Sequence, residues 1–196
     1  MPSASIRRFV PRLLAGALLC IIAPLPAAGQ AVTRAELEGY RLSMANVERL
    51  LAVARNMKAL ENDAELKAWA AKNRAEGDAE SGGAEGPNAE ATAISGMIAK
   101  LNEQPKLRQA VQSAGISPRD YALTTYMLLV SSMPVAAEKQ LGKAVDTKGL
   151  PAAMVANIAL VRTNWARISA VGEEMKKYQV ESRESDGDEG GEGEPA

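Results

Sequence analysis

The chain of 196 residues carries 23 basic and 24 acidic side chains, has no histidine and has a single cysteine, Cys20. This composition excludes zinc sites built from nitrogen or sulfur ligands, c-type haem attachment, and both Ser-His-Asp and Cys-His catalysis. A nearly balanced charge is not typical of a nucleic-acid-binding domain. We therefore expect no cofactor, no metal site, no catalytic residue and no nucleic-acid partner.

The N-terminal segment, residues 1–29, is typical of a secretory signal peptide. Three arginines lie between positions 7 and 12, an apolar run follows from Leu13 to Leu25, and small residues lead up to an expected cleavage after Gly29. The apolar run has about 13 residues, whereas a membrane-spanning helix needs roughly 20. We expect export to the periplasm and no integral membrane segment after cleavage.

Residues 30–180 predict one all-α domain, an irregular bundle of about five or six helices. Apolar side chains recur every three or four residues, and β-branched residues never alternate over the length of a strand. Two segments are expected outside the helices. The glycine-rich segment 76–88 predicts a flexible loop, and segment 181–196, with seven acids and one arginine, predicts a disordered acidic tail.

The first helices are placed by their start signals. Thr33 and Glu36 form a capping-box pattern, which predicts a helix from there to about Leu60. Asn62 and Asp63 offer a break and a new cap for a shorter helix that ends near Arg74. After the predicted loop, Asn88 is expected to cap the next helix, and Pro105 suits the first turn of another.

The second half of the domain holds the apolar helices. Ser117 and Pro118 predict a helix start, and the segment that follows is interpreted as the central core helix. Pro134 is expected to kink or end it, and a second helical piece is expected to run to Leu141. Pro151 then opens a last long helix to about Tyr178. This helix is predicted to be continuous because its apolar residues lie on one face over the whole length.

Two segments in this half resemble segments of small secreted α-helical proteins of Gram-negative bacteria, a group without an assigned function. They are SPRDYALTTYMLL (117–129) and LPAAMVANIALVRTNW (150–165). The likeness covers Pro105 to Ser169. It implies a periplasmic helical domain and transfers no catalytic residue.

Polar side chains inside these apolar helices are the candidate site. They have three interpretations: they bond each other or backbone carbonyls and fix helix register, they face solvent, or they line a small-ligand pocket with an arginine nearby for an anion. The methionines of the exported chain are interpreted as core-packing residues. The candidate ligand-binding residues are Tyr121, Thr125, Ser132, Asn157, Asn164 and Arg162.

The excluded chemistries favour a non-enzymatic periplasmic interaction or binding protein, with a protein or a small ligand as partner. A carrier of a small apolar or anionic ligand in an interhelical pocket is the alternative. A carboxylate-dependent hydrolase is the third possibility, and it would need two acids that face each other across a cleft. The acids considered for that pair are Glu36, Glu48, Glu61, Glu90, Asp120 and Glu138.

Overall fold

The computed structural model describes residues 31–79, 86 and 88–178, and within these residues the chain forms eight helices and no strand. The all-α class is confirmed, but the helix count exceeds the expected five or six. The predicted signal peptide and acidic tail lie outside the described residues. The helices are α1 (Arg34–Gly39), α2 (Met44–Ala59), α3 (Ala64–Ala79), α4 (Ala89–Glu103), α5 (Pro105–Ser113), α6 (Pro118–Leu141), α7 (Ala152–Thr163) and α8 (Trp165–Lys176).

Side chains that cap helix N-termini appear largely where the sequence placed them. The side-chain oxygens of Thr33, Asp63 and Ser117 each accept a hydrogen bond from the backbone amide three residues further on, at 3.0–3.2 Å. Each bond satisfies an amide that has no partner within its own helix. Asn88 precedes α4 but makes no side-chain capping bond, so that expected cap is wrong.

The helix predicted from Thr33 to about Leu60 is interrupted between α1 and α2. Tyr40 leaves α1 with an extended backbone, and Ser43 caps α2. Between them Leu42 is only 6 % exposed. The interruption turns Leu42 into the core, which an unbroken helix would not do, and it accounts for one of the additional helices.

Pro134 does not end its helix, and the other corrections concern the last helix and the predicted loop. The helix α6 continues through Pro134 to Leu141, whereas the last helix is broken at Asn164, whose backbone has φ −107° and ψ 19°. The helix α3 runs to Ala79, so residues 76–79 are helical where a loop was predicted. Adding residues to an existing helix is easier than starting one. Of the remaining loop residues only 86 and 88 are described.

The helix α6 is the centre of the bundle and packs against α2, α4, α5 and α7. Its core residues Ala122, Leu123, Met127 and Val135 are at most 2 % exposed. Within the described ranges, no helix combines the length and apolar character needed to cross a membrane.

The helix α7 runs in the same direction as the second half of α6. Ser131 Oγ lies 3.7 Å from Met154 Sδ, and further along α6 Glu138 binds Arg162. The residues of the two pairs are 23 and 24 positions apart in the sequence. The nearly equal separation means that both helices advance in the same direction. Residues 142–151 must therefore return along α6 before α7 begins. This return brings the start of α7 beside the middle of α6, next to α1 and α4.

Candidate ligand-binding cleft

The three predicted site residues on α6 have different surroundings. Tyr121 is 8 % exposed within an apolar cluster, and burial raises the pKa of its phenol. The Thr125 hydroxyl oxygen is buried and has no hydrogen-bond partner in the described part of the chain. Ser132 is half-buried.

The two predicted asparagines bond backbone groups. Asn157 is 1 % exposed. Its Nδ2 donates to the Tyr40 carbonyl and its Oδ1 accepts from the Leu42 amide, both at 2.9 Å. Asn164 Nδ2 donates to the Leu160 carbonyl in the preceding turn, at 2.9 Å. The first asparagine thus clamps the α1–α2 connection, and the second completes the end of α7.

Arg162 makes a two-point ion pair with Glu138. Its Nε lies 2.9 Å from Oε2 and its Nη2 lies 2.6 Å from Oε1, which also accepts from the Val145 amide at 2.8 Å. The hydrogen bonds from Arg162, and then the one from Val145, lower the pKa of Glu138 to about 2. This contact joins α6, α7 and the segment between them. The Arg162 guanidinium is thus engaged in a structural ion pair where an anion-binding role was predicted.

Most of the acids considered for catalysis are held in ion pairs or hydrogen bonds with other side chains of the fold. Within the described residues Glu90 is the exception, since no ion pair involves it. Besides Glu138 with Arg162, the contacts are ion pairs of Glu36 with Arg119, Glu48 with Arg167 and Glu61 with Lys58, and a hydrogen bond from the Ser117 hydroxyl to Asp120.

Glu90 lines a cleft of about 290 Å³ bounded by α1, α4, α6 and the start of α7. The other charged groups there are Arg34 and Glu38, whose Nε and Oε1 atoms are 2.7 Å apart. Glu90 stands in the first turn of α4, where the helix dipole stabilises negative charge. Arg34 also interacts electrostatically with Glu90. Among the described lining residues, one arginine against two glutamates leaves a net negative charge.

The rest of the lining includes aromatic and apolar side chains. Leu37 and Met127 are buried, Met154 is half-buried, and Tyr126 presents a partly buried ring. Burial, and to a lesser degree the negative charge of Glu90, raises the pKa of Tyr126. The phenol therefore stays protonated at neutral pH and acts as a neutral aromatic surface.

A second cleft, of about 370 Å³, lies between residues 31–34 and the start of α4. Here the Val32 amide donates to Ser95 Oγ at 2.7 Å, and that hydroxyl donates to the Ala91 carbonyl at 2.7 Å. Its lining contains neither a carboxylate nor an aromatic ring. The first cleft is therefore the better candidate for ligand recognition.

Neither cleft is lined by any of the six residues predicted from the sequence. Sequence reasoning had assigned the methionines to the core, and it had not singled out Tyr126. The signal that could have been used is a lone phenol beside Met127 on an otherwise aliphatic stretch. Glu38 carried no such signal.

In the part of the chain that the structure covers, no group of three or more acidic, histidine or cysteine side chains is placed to hold a metal ion. Comparison with protein-family models, with curated proteins and with solved structures finds no match to this chain. The character of the cleft itself is therefore the evidence on which function is argued.

Proposed function

We propose that this chain is an exported, non-enzymatic helical binding protein whose ligand site is the cleft between α1, α4, α6 and α7. The observation that carries the proposal is the meeting of the Glu90 carboxylate, which has no ion pair among the described residues, with the Tyr126 ring and the Met127 and Met154 side chains in one cleft. Ligand sites in proteins combine largely apolar walls with a few polar groups in this way.

Binding is favoured over hydrolysis by the state of the two carboxylates in the cleft. A glycosidase-type mechanism needs one acid to donate a proton and another to act as nucleophile or base. Glu38 is engaged by Arg34, which leaves Glu90 as the single carboxylate of this lining outside an ion pair. One free carboxylate can recognise a ligand, but it does not supply the pair that hydrolysis requires.

Native mass spectrometry of protein purified from the periplasm of a Gram-negative host tests both parts of the proposal. We expect a chain that begins at Gln30 and retains a small molecule. Met154→Trp should fill the cleft and lose that molecule, whereas Met133→Trp, at a position 62 % exposed on α6, should keep it. Recovery of the full-length chain from the cytosol would contradict export, and wild-type protein without any ligand would contradict the binding function.

A protein-interaction module is the second candidate. Four large apolar side chains are exposed on α6, on α7 and in the segment between them, and such residues mark interaction sites when they form a patch. Exchange of Met133 and Leu141 for glutamate should remove a partner that remains bound to wild-type protein. The four are Met133, Leu141, Leu150 and Val155, with 62 %, 74 %, 41 % and 36 % exposure.

A further inference from the structure

We propose that the cleft takes a small organic ammonium ion, held by the Glu90 carboxylate against the Tyr126 ring and the Met127 and Met154 side chains that line the cleft. This inference rests on the proposed function, because it names the class of ligand for the same cleft. It is argued from charge, from the surface that the walls present, and from the size of the space.

The charge of the cleft favours a cation. Arg34 and Glu38 face each other at 2.7 Å, with side chains 62 % and 46 % exposed, so their charges largely cancel. Glu90 makes no ion pair in the described chain and interacts with Arg34 only at longer range, so the two glutamates outweigh the single arginine. A like-charged ligand would be repelled here, which disfavours the anionic ligand that the sequence left open.

The walls favour an organic cation over a metal ion. A hard divalent cation needs six or more oxygen ligands, or several ordered waters with carboxylates, and the cleft offers one carboxylate outside an ion pair. An ammonium carrying methyl or methylene groups instead gains from the negative face of an aromatic ring. Its apolar substituents also find a surface in Leu37, Met127 and Met154.

The size of the space agrees with a small ligand. The cleft holds about 290 Å³, which is close to the lower end of ligand pockets, at roughly 300 Å³. A single ammonium group with a short chain fits that volume, and a large cofactor does not.

Choline and its neutral carbon analogue, in which a tert-butyl group replaces the trimethylammonium group, form a matched pair of probes. The two molecules have almost the same shape and differ in charge. Methyl NMR of isotope-labelled methionine reads the result directly, since Met127 and Met154 line the cleft and Met57 packs elsewhere in the core. We expect choline to shift the first two signals at concentrations at which the carbon analogue has no effect.

Two substitutions and their controls test the residues named. Glu90→Gln keeps shape and removes charge, and it should weaken choline binding about tenfold, whereas Glu103→Gln at the exposed end of the same helix should not. Tyr126→Phe keeps the ring and should bind choline within about threefold of wild type. Tyr126→Leu removes the ring and should weaken binding by a further factor of about three to ten.

The possible outcomes separate the inference from the proposed function. If both probes shift the cleft signals equally and Glu90→Gln has no effect, the cleft binds apolar ligands, so the ammonium inference fails while the binding function stands. If neither probe shifts Met127 or Met154, the ammonium inference also fails. Native mass spectrometry of the periplasmic protein, which shows whether a small molecule is retained, then decides the binding function separately.

Discussion

Asn157 Nδ2 donates to the Tyr40 carbonyl at 2.9 Å and so joins α7 to the end of α1 across 117 positions of sequence. The same side chain accepts from the Leu42 amide, and the Tyr40 phenol bonds the Thr124 hydroxyl at 2.8 Å. The break between α1 and α2 is therefore fixed by α6 and α7. Because α1 also forms one side of the cleft, this clamp sets the shape of the proposed ligand site.

Asn157→Leu should lower the free energy of unfolding by about 2–4 kcal/mol, because it leaves the buried Leu42 amide and Tyr40 carbonyl without partners. Denaturant titration measures the change. Asn164→Leu is the matched control and should cost under about 1 kcal/mol, since this half-buried side chain makes one bond within its own helix turn. An unchanged or higher stability for Asn157→Leu would show that the clamp does not hold the fold together.

Ser95→Ala should release the segment before α1. The Ser95 hydroxyl is 2 % exposed and is the acceptor for the amide of Val32, itself 5 % exposed. Its loss should cost about 1–2 kcal/mol and speed hydrogen exchange at the Val32 amide. Ser132→Ala, at a half-buried position of α6, is the control. Equal protection of Val32 in both variants would mean that Ser95 does not anchor this segment.

Glu138 should contribute an acid-dependent part of the stability. Its pKa in the fold is about 2 against an ordinary value of 4.5, so the unfolded chain binds the proton more readily than the folded one. The stabilising contribution of Glu138 is therefore complete above about pH 4.5, and it is lost as the pH falls from there towards about 2. Urea titrations across this range should show the stability difference between wild type and Glu138→Gln shrinking as pH falls.

The exposed Glu103→Gln provides the reference for that pH series, because it removes one carboxylate without breaking an ion pair in the described chain. Its difference from wild type should stay nearly constant over the same range. A Glu138→Gln difference that is equally constant would mean that the Arg162 and Val145 contacts do not hold the carboxylate ionised.

Pro134→Ala should stabilise the domain by about 1–3 kcal/mol, because proline in a helix interior lacks the amide that would bond the Val130 carbonyl. Thermal unfolding of the two proteins gives the comparison. A loss of stability instead would indicate that the packing of Val135 and Met127 depends on the backbone shape that proline imposes on α6.

The helix starts could be predicted because their causes are local. Thr33, Asp63 and Ser117 each bond an amide three residues away, and a pattern of that length is visible in the sequence. The break at Tyr40 could not be predicted in this way, since its cause is Asn157, more than a hundred residues distant.

The cleft was hidden from sequence reasoning for a related reason. Glu90, Tyr126 and Met154 belong to three helices, and they meet because α7 runs in the same direction as α6 after a long return segment. Apolar periodicity gives the face that a helix buries but not the direction of its neighbour. From the sequence, Met154 is therefore interpreted as a core residue, and Glu90 is one of six acids that no signal sets apart.

Ligand-dependent melting of the wild type and Glu90→Gln tests most directly whether this cleft recognises an ammonium ion. At a choline concentration about 100 times the dissociation constant, binding adds roughly 2.7 kcal/mol, which should raise the melting temperature of the wild type by about 5 °C or more. We expect that rise in the wild type and a clearly smaller one in Glu90→Gln at the same concentration. No rise in either protein, or an equal rise in both, would contradict recognition of the cation by Glu90.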